Sequence, residues 1–208
     1  MNHTNQSGRS MIEMLGVLAI IGVLSVGGIA GYSKAMMKFK INKTIDQISQ
    51  IAQNVRILYA RQKNYGNLSG KVAYKANLAP REMFESGSGS GYEMTNAFGG
   101  KVEFFVVGKY VSGDNKAFTI SLYDLPEEAC IELATQDWGS DNSSGLIAIS
   151  ASSGPSPAAT GEYLNCQGSN YGIKVACPGG STISVPMPVD MAVDACEGNS
   201  NTVALKFY

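Results

Sequence analysis

Apolar residues crowd the start of the chain and then settle into periodic patterns. From Met14 to Ser33 there are 20 residues without a charge. As a helix that run is about 30 Å long, the thickness of a bilayer hydrocarbon core. Such a helix must sit in lipid or be surrounded by protein. Past it the pattern turns amphipathic. Ile41, Ile45, Ile48, Ala52, Val55 and Tyr59 step by threes and fours, with Asn42, Asp46, Gln50, Gln53 and Arg56 on the other side. No proline interrupts Arg9 to Gln62, which predicts one helix of about 50 residues. Its first half is apolar all round, and its second half has one stripe suited to holding a sheet. Gly22, Gly27, Gly28 and Gly31 each cost about 1 kcal/mol of helix propensity, which suggests close helix–helix approach or local unwinding.

Residues 63–100 read as a long connection, with turn chemistry at Asn64-Tyr65-Gly66, at Pro80 and in the Ser/Gly run from Ser86 to Gly91. Then period two takes over. Val102, Phe104 and Val106 alternate with Glu103, Phe105 and Val107, and a turn at Ser112–Asn115 leads to Phe118, Ile120 and Leu122. This predicts a hairpin. Pro126, Glu127 and Glu128 open a short helix to about Gln136 that carries Cys130. Trp138 to Thr160 reads as irregular apart from a strand-like patch, Leu146–Ile149, and Ser152–Pro157 as an exposed loop. Thr182–Val185 suggests a strand, Pro188–Cys196 a short helix, and Thr202–Tyr208 a final strand docked in the sheet. The predicted fold class is α+β: a long N-terminal α-helix packed on an antiparallel β-sheet.

Composition narrows the chemistry. A net charge of −1 and a pI near 5.9 make no broad electrostatic case for nucleic acid. The only histidine is His3, so the rest of the chain lacks histidine-based acid–base chemistry and histidine metal sites. With no phosphate loop and no paired-acid motif either, no catalytic residue, metal or cofactor is expected. Asp137, Asp141 and Asn142 mimic a calcium cluster but read more simply as a solvated loop. Cys130, Cys166, Cys177 and Cys196 form no CxxC pair. Their even number beyond a long apolar N-terminal run favours disulfides, with three pairings open.

One element remains at the lip of the apolar run. Glu13 lies five residues after Gly8, and a carboxylate within hydrocarbon costs roughly 2.5–3.5 kcal/mol, so it is usually paired or functional. Gly8-Arg9-Ser10-Met11-Ile12-Glu13 ahead of a long apolar run resembles the type III (prepilin) signal of type IV pilins, in which the chain is cut after a Gly and Glu is the fifth mature residue. Counting Arg9 as first makes Glu13 fifth. The leader MNHTNQSG carries no Lys or Arg, and Arg9 stands where the family pattern has Phe, Met or Leu. The resemblance implies that a prepilin peptidase cuts between Gly8 and Arg9, that the new amine of Arg9 is N-methylated, and that Glu13 docks one subunit on another by meeting that amine. Lys34, Lys38, Lys40 and Lys43 follow the run. Taken alone they would keep the following domain cytoplasmic, but the resemblance directs it outward.

The later layout resembles the type IVb class. A hairpin, a short helix bearing Cys130, and a long return to Cys196 before a last strand match its disulfide-bracketed D-region. The favoured pairing is therefore Cys130–Cys196, with Cys166–Cys177 nested inside as an additional bridge. The organisation that follows is a leader at 1–8, a transmembrane or filament-core half-helix at 9–33, an amphipathic half-helix at 34–62 and a globular head at 63–208 with its D-region at about 130–196. The function implied is a structural subunit that polymerises with itself into a surface filament. Its implied partners are the peptidase, an assembly ATPase with its inner-membrane platform, and an outer-membrane secretin. Its implied location is the bacterial inner membrane as precursor and then the extracellular pilus. The alternatives are a minor pilin, a type II secretion pseudopilin, or a membrane-anchored enzyme or binding protein.

Overall fold

The computed structural model describes residues 9–84, 91–108, 114–139, 144–155, 174–176 and 185–208. Helix α1, Arg9–Tyr59, runs 51 residues without a break. The chain divides between Phe39 and Lys40 into two units, and α1 contributes to both. In the first unit the apolar side chains from Met11 to Tyr32 are exposed.

The second unit is helix on sheet. Its elements are the second part of α1, α2 (Gly70–Lys75), a 3-10 turn η1 (Arg81–Phe84), β1 (Met94–Thr95), β2 (Lys101–Val107), β3 (Ala117–Leu125), α3 (Glu127–Thr135), β4 (Leu146–Ser153), β5 (Lys174–Ala176), α4 (Val189–Ala195) and β6 (Asn201–Phe207). The six strands lie in the order β1-β2-β3-β6-β4-β5, every neighbour antiparallel.

The predicted hairpin is β2–β3, with Phe104 opposite Ile120 and Val106 opposite Phe118. The final strand is β6, which is central, between β3 and β4. One side of the sheet presents Phe118, Ile120, Leu122, Val203 and Leu205, which share a buried cluster with Ile48, Ile51 and Val55 of α1. Fully burying such side chains stabilises by about 1.5–3 kcal/mol each. Tyr65 seals one end of this core, with its ring 4.8 Å from Phe118 and 5.2 Å from Tyr59. Alternation identifies β6 but not its burial, because both its faces are covered: all seven residues are buried, Lys206 included.

Several expectations change. The 63–100 connection carries α2, η1 and β1. Ser69 caps α2, accepting from the Val72 N–H at 3.4 Å. Asn96 then builds the turn into β2: its Oδ1 accepts from the Phe98 and Gly100 N–H groups at 2.9 and 3.0 Å. Any side chain at Gly100 would collide with the Tyr123 carbonyl. The patch at Leu146 is a full strand that continues through Ser152 and Ser153, so those two are not in a loop. Serines hid the strand: Ser150 and Ser152 alternate with Ile149 and Ala151 of the core cluster, and Ser153 ends it. Val185 lies outside any strand, directly before a cis Pro186, and β5 instead forms at Lys174–Ala176. Residues 182–184, the Ser86–Ser90 part of the Ser/Gly run and the Ser112–Gly113 turn fall outside the described residues.

Candidate functional site

The N-terminal part of α1 is one candidate. Glu13 is exposed there, and so is every described apolar side chain around it; Ile12, Val23 and Val26 are each 73–76% exposed. α1 is long and apolar enough to cross a membrane. Gly8 lies outside the described residues, and Arg9 is the first residue of α1. Glu13 is four positions after Arg9, so the backbone nitrogen of Arg9 and Glu13 are about one helical turn apart. A Cβ placed at Gly16, Gly22, Gly27, Gly28 or Gly31 would meet nothing within 4 Å. Packing within one chain therefore does not account for these glycines.

Farther along, α1 is tied down by polar contacts on its buried side. The Gln47 Nε2 donates to Glu82 Oε1 at 2.8 Å, and Lys43 Nζ lies 3.1 Å from Glu82 Oε2. Together they hold the Glu82 carboxyl below its ordinary value, the Gln47 hydrogen bond contributing most. Asn54 Nδ2 donates to the Leu78 carbonyl at 3.0 Å. None of these partners was evident from the sequence, because each joins residues at least 24 positions apart.

The disulfide-bracketed face is the second candidate. Cys130 of α3 and Cys196, the residue after α4, are joined with their Cα atoms 5.9 Å apart, and both are buried. The return to β6 is pinned beside them. Asn201 Nδ2 donates to the Leu125 and Gly198 carbonyls at 3.1 and 3.0 Å. Ser200 Oγ donates to Asp124 Oδ1 at 2.9 Å, across a bulge between Leu122 and Leu125. Cys166, Cys177, Asp141 and Asn142 lie outside the described residues. Asp137 is committed to its own turn, where Oδ1 accepts the Gly139 N–H at 2.9 Å. Among the described residues no three His, Cys, Asp or Glu side chains gather to hold a metal ion.

Between α1 and the segment after α3 is a cleft of about 340 Å³, lined by Ile45, Gln53, Arg56, Trp138 and Phe207 among others. Arg56 Nη1 donates to the Ser144 carbonyl at 2.6 Å, and Trp138 Nε1 to the Leu133 carbonyl at 2.9 Å. Gly145 permits the arginine contact: it sits at φ +73°, and a Cβ there would lie 2.8 Å from Arg56 Cζ and from the Tyr208 oxygen. Beyond Arg56 a shallow recess of about 540 Å³ opens beside Ile57, Ala60, Tyr65 and Tyr208.

Shifted titrating groups do not converge on these hollows. Tyr123 is pushed up to about 12, first by burial and then by the Glu103 carboxylate. Burial pushes Lys206 down, with Asp114 opposing. Tyr65, which does line the recess, is pushed up by burial and drawn back by Arg56.

A family model described as Bundlin matches residues 34–206. No curated protein matches the chain in sequence. Two solved structures are similar in fold. A type IV b pilin from Salmonella typhi superposes with a TM-score of 0.52 at 19% identity, covering 79% of this chain and 97% of that one. TcpA, a type IV pilin from Vibrio cholerae El Tor biotype, does so with a TM-score of 0.51 at 17% identity, covering 81% and 99%.

Proposed function

The chain belongs to the Bundlin family, and on that premise we propose how it is processed, anchored and assembled. It is a structural subunit of a type IV pilus, of the type IVb class. Residues 1–8 are a leader, removed between Gly8 and Arg9 by a prepilin peptidase, and the new Arg9 amine is methylated. Residues 9–33 hold the precursor in the inner membrane. Residues 34–62 carry that anchor into a head made of residues 63–208, whose D-region spans about 130–196.

The observation that carries this reading is the exposure of the whole described apolar run of α1 on a chain whose other residues adopt a pilin fold. In water such a surface is untenable, whereas lipid or a bundle of sister helices accepts it. Assembly driven by an ATPase and its membrane platform moves the run from lipid into that bundle, and a secretin passes the filament outward. In the bundle the glycines of α1 let neighbouring helices approach closely. The Glu13 carboxylate loses water there and pairs with the Arg9 α-amine, on its own chain or a neighbour's, which fixes the stagger between subunits. Mass spectrometry of sheared surface fibres tests the reading. The expected result is this polypeptide beginning at a methylated Arg9; fibres without it, or with residues 1–8 retained, would overturn it.

A further inference from the structure

Charge is segregated along this chain although the net charge is −1. Residues 34–81 hold ten Lys and Arg and a single acid, Asp46. Residues 117–205 hold ten Asp and Glu and a single Lys, Lys174. Exposed apolar side chains fall in both stretches. Outside the membrane run and Phe39, the large ones among the described residues are Ile57, Leu58, Tyr74, Val189 and Val193. Tyr74 is partly covered by its own neighbours, with the Arg81 guanidinium 4.1 Å from its ring centre and Phe84 and Tyr92 against its edge. The other four make two patches of opposite character.

On α4, Val189 and Val193 are 64% and 48% exposed and share a face one turn apart. Asp190 and Asp194 stand beside them and Glu197 just beyond, all exposed. At the end of α1, Ile57 and Leu58 are 75% and 45% exposed. Ile57 borders the shallow recess with Ala60, Tyr65 and Tyr208, and exposed Arg61 and Lys63 follow. One patch is apolar with an acidic rim; the other is apolar, concave and basic.

We propose that the α4 patch of one copy docks on the α1-end recess of the next, with Val189 and Val193 against Ile57 and Leu58 and the acids facing Arg61 and Lys63. The contact rests on the pilus reading and adds to it a specific link between heads. Because its two sides differ, it is heterologous, and such a contact propagates into an open helical filament when the rotation does not close a ring. Apolar centres supply the attraction, and the charged rims select orientation and reject like-to-like pairing.

Carbodiimide treatment of purified native filaments is the test, since it joins amines to carboxylates in contact. The expected product is a crosslinked dimer containing a peptide that links Lys63 to Asp190 or Asp194, lost in filaments of Lys63→Gln. In parallel, Arg61→Glu should cut the yield of sheared filaments by about tenfold, and adding Asp194→Arg should restore it. Intact filaments whose dimers lack that linkage, or Arg61→Glu yields equal to wild type, would overturn the contact and leave the pilus reading standing. Absence of any filament of the unaltered chain would overturn both.

Discussion

Arg56 and Ser144 lie 88 positions apart, yet the Arg56 guanidinium donates to the Ser144 carbonyl at 2.6 Å and so fastens the end of α1 to the start of β4. The neighbouring glycine makes this possible. Gly145→Ala would add strain at φ +73° and put a methyl 2.8 Å from both Arg56 Cζ and the Tyr208 oxygen. Gly154 has nearly the same backbone, φ +70°, but nothing within 4 Å. Each Gly→Ala change should cost about 1–3 kcal/mol from the backbone, with Gly145→Ala clearly the worse of the two. Thermal melts of both variants measure this, and equal losses would show that the Arg56 contact is dispensable.

At the other end of α1, Glu13→Val should insert and be processed normally but give few filaments. Leaving a buried partner charge unpaired costs about 3–5 kcal/mol per subunit. The readout is sheared fibre yield alongside the mass of the membrane-held subunit. Wild-type fibre yield from Glu13→Val would remove the docking role.

The Cys130–Cys196 bridge closes a long loop, 66 positions in separation. In the chain-entropy model its loss costs about 4 kcal/mol. A Cys130→Ala/Cys196→Ala chain should melt lower and be cut first between residues 130 and 196 under limited proteolysis, while α1 resists. A digestion pattern identical to wild type would contradict that expectation.

Acid should loosen the η1 contact with α1. Glu82 is held below the ordinary carboxylate value, chiefly by Gln47 and then by Lys43. A depressed folded value means that its stabilisation is complete above the unfolded pKa and is lost as pH falls through the folded one. The gap in melting temperature between wild type and Glu82→Gln should therefore be present at neutral pH and shrink below the usual glutamate range. Glu82 is 48% exposed, so the gap is expected to be small. A gap independent of pH would rule out the titration.

Local pattern made much of the molecule legible. The proline-free run predicts α1 to within three residues of Tyr59, and alternation predicts the β2–β3 hairpin and β6. What pattern could not reveal depends on neighbours distant in sequence. Gln47 and Thr44 are polar yet buried: Gln47 donates to Glu82 of η1, and the Thr44 hydroxyl donates to the Lys40 carbonyl one turn back on α1. Ser150 and Thr202 read as surface, yet they lie on central strands covered on both sides. The short helix Gly70–Lys75 is too brief for periodicity to register. Arg56 looks like one more polar residue on a helix until Gly145 brings a carbonyl beneath it. The opposed charge blocks are visible in the sequence, but only regional counts reveal them, since the total nearly cancels.

The strand order sets a schedule for folding. β6, the last strand made, fits between β3 and β4. Until it forms, those two strands have no common neighbour and the hydrophobic cluster lacks Val203 and Leu205. An incomplete chain thus cannot imitate a finished one, so only a subunit folded through β6 presents the completed sheet to its neighbours.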